Sequence, residues 1–179
     1  ALCQVQDYPS MVFLPAISRS ELNAGMSSQA PFSVSIECEA GAVSSTNAST
    51  TTSANVAMGF LVNQPTAVSS AQTLRLVTSG GGLTWLLDNR YGSPGVASGV
   101  GIRIYNSNGS AINLLPDRGS SGTGNLRGWY AFKDLTSLAS SGTTNSYRGD
   151  FTASLEAISG QTITAGTVNA QLQVVVSFQ

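Results

Sequence analysis

The feature that most constrains this chain is its last stretch, Gly166-Thr-Val-Asn-Ala-Gln-Leu-Gln-Val-Val-Val-Ser-Phe-Gln179, a strongly alternating segment that runs to the carboxyl end. Read at period two, Val168, Ala170, Leu172, Val174, Val176 and Phe178 share one face, and Thr167, Asn169, Gln171, Gln173, Val175 and Ser177 share the other. That is the pattern of a half-buried strand. A strand this long and apolar normally sits inside a sheet, because at an edge it is an open template for another chain. Alternation alone leaves two readings: an ordinary last strand whose neighbours both come from earlier in the chain, or a strand whose neighbour comes from a partner.

The rest of the chain reads as strands separated by Ser/Thr/Gly/Asn loops. Met11 to Ile17 is apolar but interrupted by Pro15, which predicts an edge strand or one that breaks and switches sheet. Pro31 to Cys38 alternates, with Phe32, Val34, Ile36 and Cys38 on one face, so the cysteine points inward. Gly41 to Asn55 is a low-complexity Ser/Thr/Ala run, expected as a mobile loop or polar edge. Val56 to Val62, Thr73 to Thr78 and Thr84 to Leu87 are short strand candidates, with Gly80-Gly81-Gly82 turning between the last two. Val100, Ile102 and Ile104 alternate before Asn108-Gly109, whose residues suit the positive φ values of a tight hairpin. Trp129 to Phe132 reads as a short aromatic strand or turn, Lys133 to Leu138 as one helical turn, and Tyr147 to Ile158 as a further strand. No amphipathic pattern persists over the roughly ten residues a helix needs. About eight or nine short strands in one domain, residues 1–179, imply an all-β sandwich or barrel.

Charge excludes several classes of function. Only 9% of residues are charged, Lys133 is the single lysine, and the net charge is -1. A nucleic-acid binder needs a basic stripe, and the arginines are scattered from Arg19 to Arg148. No run approaches the roughly eighteen apolar residues of a membrane span. The two cysteines, Cys3 and Cys38, would be unpaired core thiols in a reducing compartment; the polar, lysine-poor composition suggests export and hence a disulfide. Such a bridge closes about 35 residues and is worth roughly 4 kcal/mol in the chain-entropy account.

Candidate chemistry is sparse. With no histidine there is no Ser-His-Asp or Cys-His arrangement, and two isolated cysteines make no zinc site, so no catalytic residue, metal or cofactor is expected. Glu37 and Glu39 share the strand face opposite Cys38, where two carboxylates are ordinary solubilising groups. Gly80-Gly81-Gly82 lacks the lysine and helix of a phosphate loop. Arg148-Gly149-Asp150 spells an integrin-recognition tripeptide but leads directly into an alternating strand, where a loop tip would be needed. Asn47-Ala-Ser49 and Asn108-Gly-Ser110 match the glycosylation acceptor pattern, the second coinciding with turn chemistry. Trp85, Trp129 and Tyr130 could stack on sugar rings, although aromatics of a sandwich more often fill its core.

Gly166 is fourteenth from the end and Phe178 is penultimate, with alternating apolar residues between them. In this the chain resembles the subunits of bacterial chaperone-usher pili. The resemblance continues in Phe32-Ser-Val-Ser-Ile-Glu-Cys38 with Cys3, in Gly99-Val-Gly-Ile-Arg-Ile104, in Tyr147 and Phe151-Thr-Ala153, and in Ile163-Thr-Ala-Gly166. It implies an incomplete immunoglobulin-like sandwich lacking its final strand. The closing segment would line an apolar groove that a periplasmic chaperone fills first and an adjacent subunit's extension fills permanently, with an outer-membrane usher directing passage to an extracellular fimbrium. Gly166, Val168, Ala170, Leu172, Val174, Val176 and Phe178 would form that groove wall, and the carboxylate of Gln179 would anchor basic chaperone residues. About six side chains gaining roughly 1.5 kcal/mol each on burial would be a large share of a marginal stability.

One departure stands out. Polymerising subunits carry an alternating extension ahead of the first cysteine, and here only Ala1 and Leu2 precede Cys3. The sequence therefore predicts the pilin domain of a two-domain tip adhesin, a reading the long loops Gly41 to Asn55 and Gly92 to Gly99 also favour. The alternatives are a shaft subunit with its extension removed and a domain that itself binds a receptor or carbohydrate.

Overall fold

The computed structural model describes residues 2–47, 54–119 and 121–178. Its backbone is organised by two long antiparallel strands, β2 (Ser28–Glu39) and β8 (Thr144–Ala157), paired continuously from Ser28 opposite Leu155 to Glu39 opposite Thr144. Both alternate, so pairing places Val34, Ile36 and Cys38 beside Tyr147, Phe151 and Ala153 on one buried face. β1 (Cys3–Asp7) lies against β2, and β5 (Val100–Tyr105) and β7 (Ser137–Ser140) lie end to end along the other side of β8. Cys3 sits directly opposite Cys38 in this register, and the two are joined as the expected disulfide.

The second sheet is built on β4 (Asn55–Leu61), buried over its whole length. β3 (Val43–Ser44) and β6 (Tyr130–Ala131) flank one side of it, and β9 (Gln173–Phe178) pairs antiparallel along the other. Val56, Met58 and Phe60 face the first sheet, where Phe60 meets Phe32 and Phe151 edge-on at 6.1 and 5.1 Å between ring centres. Such pairs contribute about 0.5–1.5 kcal/mol beyond the area they bury. Ala57 and Leu61 point the other way into a small second core with Leu115, Trp129 and Val175. Two packed sheets with alternating inner faces define an immunoglobulin-like sandwich.

Several expected elements differ. Thr73 to Thr78 is no strand: Thr73 ends helix α2 (Pro65–Thr73), whose fully buried residues are Ala67 and Ala71, with half-buried Val68 packed on the core beside them. Two alanines four apart give no visible stripe, although Pro65 suits a first helical turn. Thr84 to Leu87 forms a single isolated bridge among the described residues, Leu86 opposite Ile102, without a regular strand. Met11 to Ile17 also lacks sheet pairing, and a short helix, α1 (Arg19–Asn23), follows it with Ser18 and Glu21 forming a capping box. The single helical turn expected over Lys133 to Leu138 is α3 (Phe132–Leu135), after which the chain enters β7. At the hairpin after β5 only Gly109 has positive φ, 78°; Asn108 does not, because Asn106 accepts the Gly109 N–H in a turn that needs one left-handed residue. Part of the Gly41 to Asn55 loop, residues 48–53, lies outside the described residues, and so does most of the Asn47-Ala-Ser49 motif.

Candidate functional site

Backbone pairing along β9 is one-sided. From Val56 opposite Phe178 to Leu61 opposite Gln173 it is held by β4, and no other strand joins it among the described residues. β1, at the edge of the first sheet, approaches β9 closely without pairing to it. Here the two sheets meet without a strand to close them.

Two half-buried rows of side chains pack on the core here. One is Val168, Ala170, Leu172, Val174 and Val176 from the closing segment. The other comes from residues 8–17, where half-buried Val12, Leu14 and Ile17 are set among exposed Met11 and Phe13, at 64% and 79% accessibility. Val12 and Leu14 pack on the same core cluster as Ala170, Leu172, Val174 and Val176. Ile17 and Val168 share a separate cluster with Leu22, Ala97, Val100 and Ile163. Most of both rows, though not Ile17 and Val168, thus rests on the main core. Between Tyr8 and Ile17 no main-chain hydrogen bond to another main-chain group occurs among the described residues, and Pro15, with no N–H to give, accepts from the Ser28 hydroxyl.

The predicted wall residues do not form one uninterrupted strand. Regular β9 covers only Gln173–Phe178; upstream, the chain turns to pair with the loop before β5. Thr167 donates to the Gly95 carbonyl at 3.1 Å and accepts from the Ala97 N–H at 3.0 Å. This close approach explains Gly166. A Cβ there would stand 2.5 Å from the Ala97 nitrogen and 2.7 Å from the Gly95 oxygen, both main-chain atoms that cannot rotate away. Asn169 donates its N–H to the Asp88 carboxylate at 2.7 Å, a contact no motif in the sequence marks. Phe178 closes β9 opposite Val56, and Gln179 lies outside the described residues. Val175, on the polar face by alternation, is buried because Trp129 and Leu115 cover that face of the sheet.

The aromatic candidates divide. Trp129 is 2% exposed and donates its indole N–H to the Gly119 carbonyl at 2.8 Å. Tyr130 accepts the Asn113 N–H, and burial pushes its hydroxyl pKa up. Both belong to the core. Trp85 is half-buried against the main core, with the Arg103 guanidinium 5.2 Å from its ring centre. Among the carboxylates, Glu37 accepts the Thr144 hydroxyl and Glu39 accepts the Leu2 N–H. Among the described residues no cluster of three His, Cys, Asp or Glu could hold a metal, and no helix is long and apolar enough to cross a membrane.

The fold is thus an immunoglobulin-like sandwich with β9 paired on one side only among the described residues and a disulfide joining its first two strands. The fimbrial protein family model matches residues 1–179, and the chain belongs to that family. It is a structural protein of an extracellular fimbria. The crystal structure of the P pilus rod subunit PapA superimposes with a TM-score of 0.51 at 16% identity, over 100% of this chain and 92% of that one. A second structure, of a chaperone-usher pilus described in terms of rod uncoiling, gives a TM-score of 0.47 at 14% identity over 99% and 87% of the two chains. No curated protein sequence matches the chain.

Proposed function

We propose that this single-domain chain is an acceptor subunit of a chaperone-usher fimbria, and that its gap receives an extended strand from another chain. A periplasmic chaperone occupies it first and an adjacent subunit afterwards, while an outer-membrane usher passes the subunit outward. The observation that carries this reading is that half-buried residues of both stretches pack on one core, each on backbone with a side free of strand pairing among the described residues. A strand laid between them offers main-chain hydrogen bonds to both lips and places alternate side chains on the floor. Ala170, Leu172, Val174 and Val176 would set the register, because a slip of one residue would turn the donor's apolar side chains to solvent.

The loop spanning Gly92 to Gly99 is tied to the closing segment through Gly95 and Ala97, and the acceptor is proposed as the pilin domain of a two-domain tip adhesin, with a shaft subunit whose extension is removed as the alternative. Burial of Trp129 and Tyr130 removes most of the support for sugar binding by this domain. The test is thermal melting with a synthetic donor peptide of about ten residues, alternating valine with serine and ending in lysines. A concentration-dependent rise in Tm is expected, and an unchanged Tm at saturating peptide sinks the proposal.

A further inference from the structure

We infer that Asp88 is a positioning residue that holds the upstream half of the groove wall in register before any donor strand enters; this rests on the acceptor reading above. β4 supports the wall only as far as Leu61, opposite Gln173. Upstream of that point the wall has no sheet partner, although Val168, Ala170 and Leu172 line the gap there. Thr167 is tied to Gly95 and Ala97. Asp88 then takes over the part of a neighbouring strand. Asp88 is 6% exposed, and its two carboxylate oxygens accept two main-chain N–H groups, Arg90 at Oδ1 and Asn169 at Oδ2, each at 2.7 Å.

Several features make this more than a chance contact. Both donors are backbone groups, so the bonds fix the path of the chain and leave the Asn169 side chain exposed. Short bonds to a charged acceptor are about twice as strong as neutral ones. Asn169 stands between Val168 and Ala170, the two wall residues farthest from β4's reach, and from Ala170 to Leu172 no main-chain bond to another main-chain group occurs among the described residues. Asp88 is therefore the last tether before β9 begins. Arg90, the other group it holds, opens the loop that carries Gly95 and Ala97, so one carboxylate aligns the wall and its brace together.

The experiment compares the full chain with D88A, D88N and N169A. N169A is the control, because it removes a side chain and leaves the bonded N–H in place. Hydrogen exchange at the Asn169 amide should quicken by about 10–100-fold in D88A, less in D88N, which keeps the shape and one acceptor oxygen, and not in N169A. Two alternating valine-serine peptides are then titrated, one long enough to reach Val168 and a shorter one covering only Val174 and Val176. The substitutions at Asp88 should weaken the long peptide by about tenfold and leave the short one unchanged. Unchanged exchange in both Asp88 variants, or equal weakening of both peptides, overturns the assignment. Failure of the unsubstituted chain to bind either peptide overturns instead the acceptor reading, while exchange at Asn169 still decides whether Asp88 holds the wall. Should D88A not fold, D88N carries both measurements.

Discussion

β8 and β9 share one alternating pattern and have opposite surroundings. β8 has β2 along one side and β5 with β7 along the other; β9 has β4 alone among the described residues. The inward residues of β8, Tyr147, Phe151 and Ala153, are 7%, 2% and 6% exposed, whereas Val174 and Val176 of β9 remain half-buried. Alternation fixes which side chains face the core and says nothing about who supplies the next strand. That second fact lies in main-chain pairing, which side-chain pattern does not encode.

The largest expected effect sharpens this contrast. Phe151 packs against Phe32 at 5.5 Å and Phe60 at 5.1 Å between ring centres, so Phe151→Ala should cost about 3–5 kcal/mol in denaturant titration of the free chain. Val174→Ala removes half-wet methyl groups and should cost about 1 kcal/mol or less. With donor peptide bound the Val174 cost should grow while that of Phe151 stays fixed. Equal growth in both would mean that the gap is not where the strand lies.

Next in size is the bridge that joins β1 to β2. Cys3 and Cys38 close 35 residues, and replacing both by alanine should cost roughly 2–4 kcal/mol. Intact-mass measurement before and after reduction should show a gain of two hydrogens; two free thiols in the native protein would refute the pairing. Gly166→Ala comes third. The added methyl must displace the backbone of Gly95 to Ala97, for an expected 1–3 kcal/mol, about the usual cost of overpacking, together with weaker binding of a long donor peptide. A silent Gly166→Ala would show that the wall and its brace can separate freely.

The sequence carried the strands with strong alternation and missed what alternation cannot express. β2, β4, β5 and β8 were all legible, and the inward Cys38 agreed with its place opposite Cys3. α2 was hidden because small Ala67 and Ala71, with half-buried Val68, supply its packed side, and Met11 to Ile17 reads like an edge strand because an extended segment without ladder bonds has the same pattern. Gly166 and Phe178 marked the closing segment through family resemblance. The reason for the glycine, a close pass by Gly95 and Ala97, appears only in three dimensions. Asp88 left no local trace at all: its partner lies 81 residues away and offers a main-chain N–H that any residue type would supply.

The smallest expected effect lies on the outer face of β8, where Arg148-Gly149-Asp150 runs mid-strand and not at a loop tip. Arg148 pairs with Asp150 at 3.0 Å, and the Ser33 hydroxyl donates to the same carboxylate at 2.7 Å. The serine bond first, and Arg148 second, hold the Asp150 pKa below its ordinary value. A carboxyl with a lowered folded value contributes its stability above the ordinary carboxylate range and loses it as pH falls through the lowered value. Asp150→Asn should therefore lower Tm slightly at neutral pH, with the difference fading in acid and shrinking in added salt, since the group is solvent-exposed and screened. A difference that persists below the carboxylate range would mean that Asp150 acts through packing.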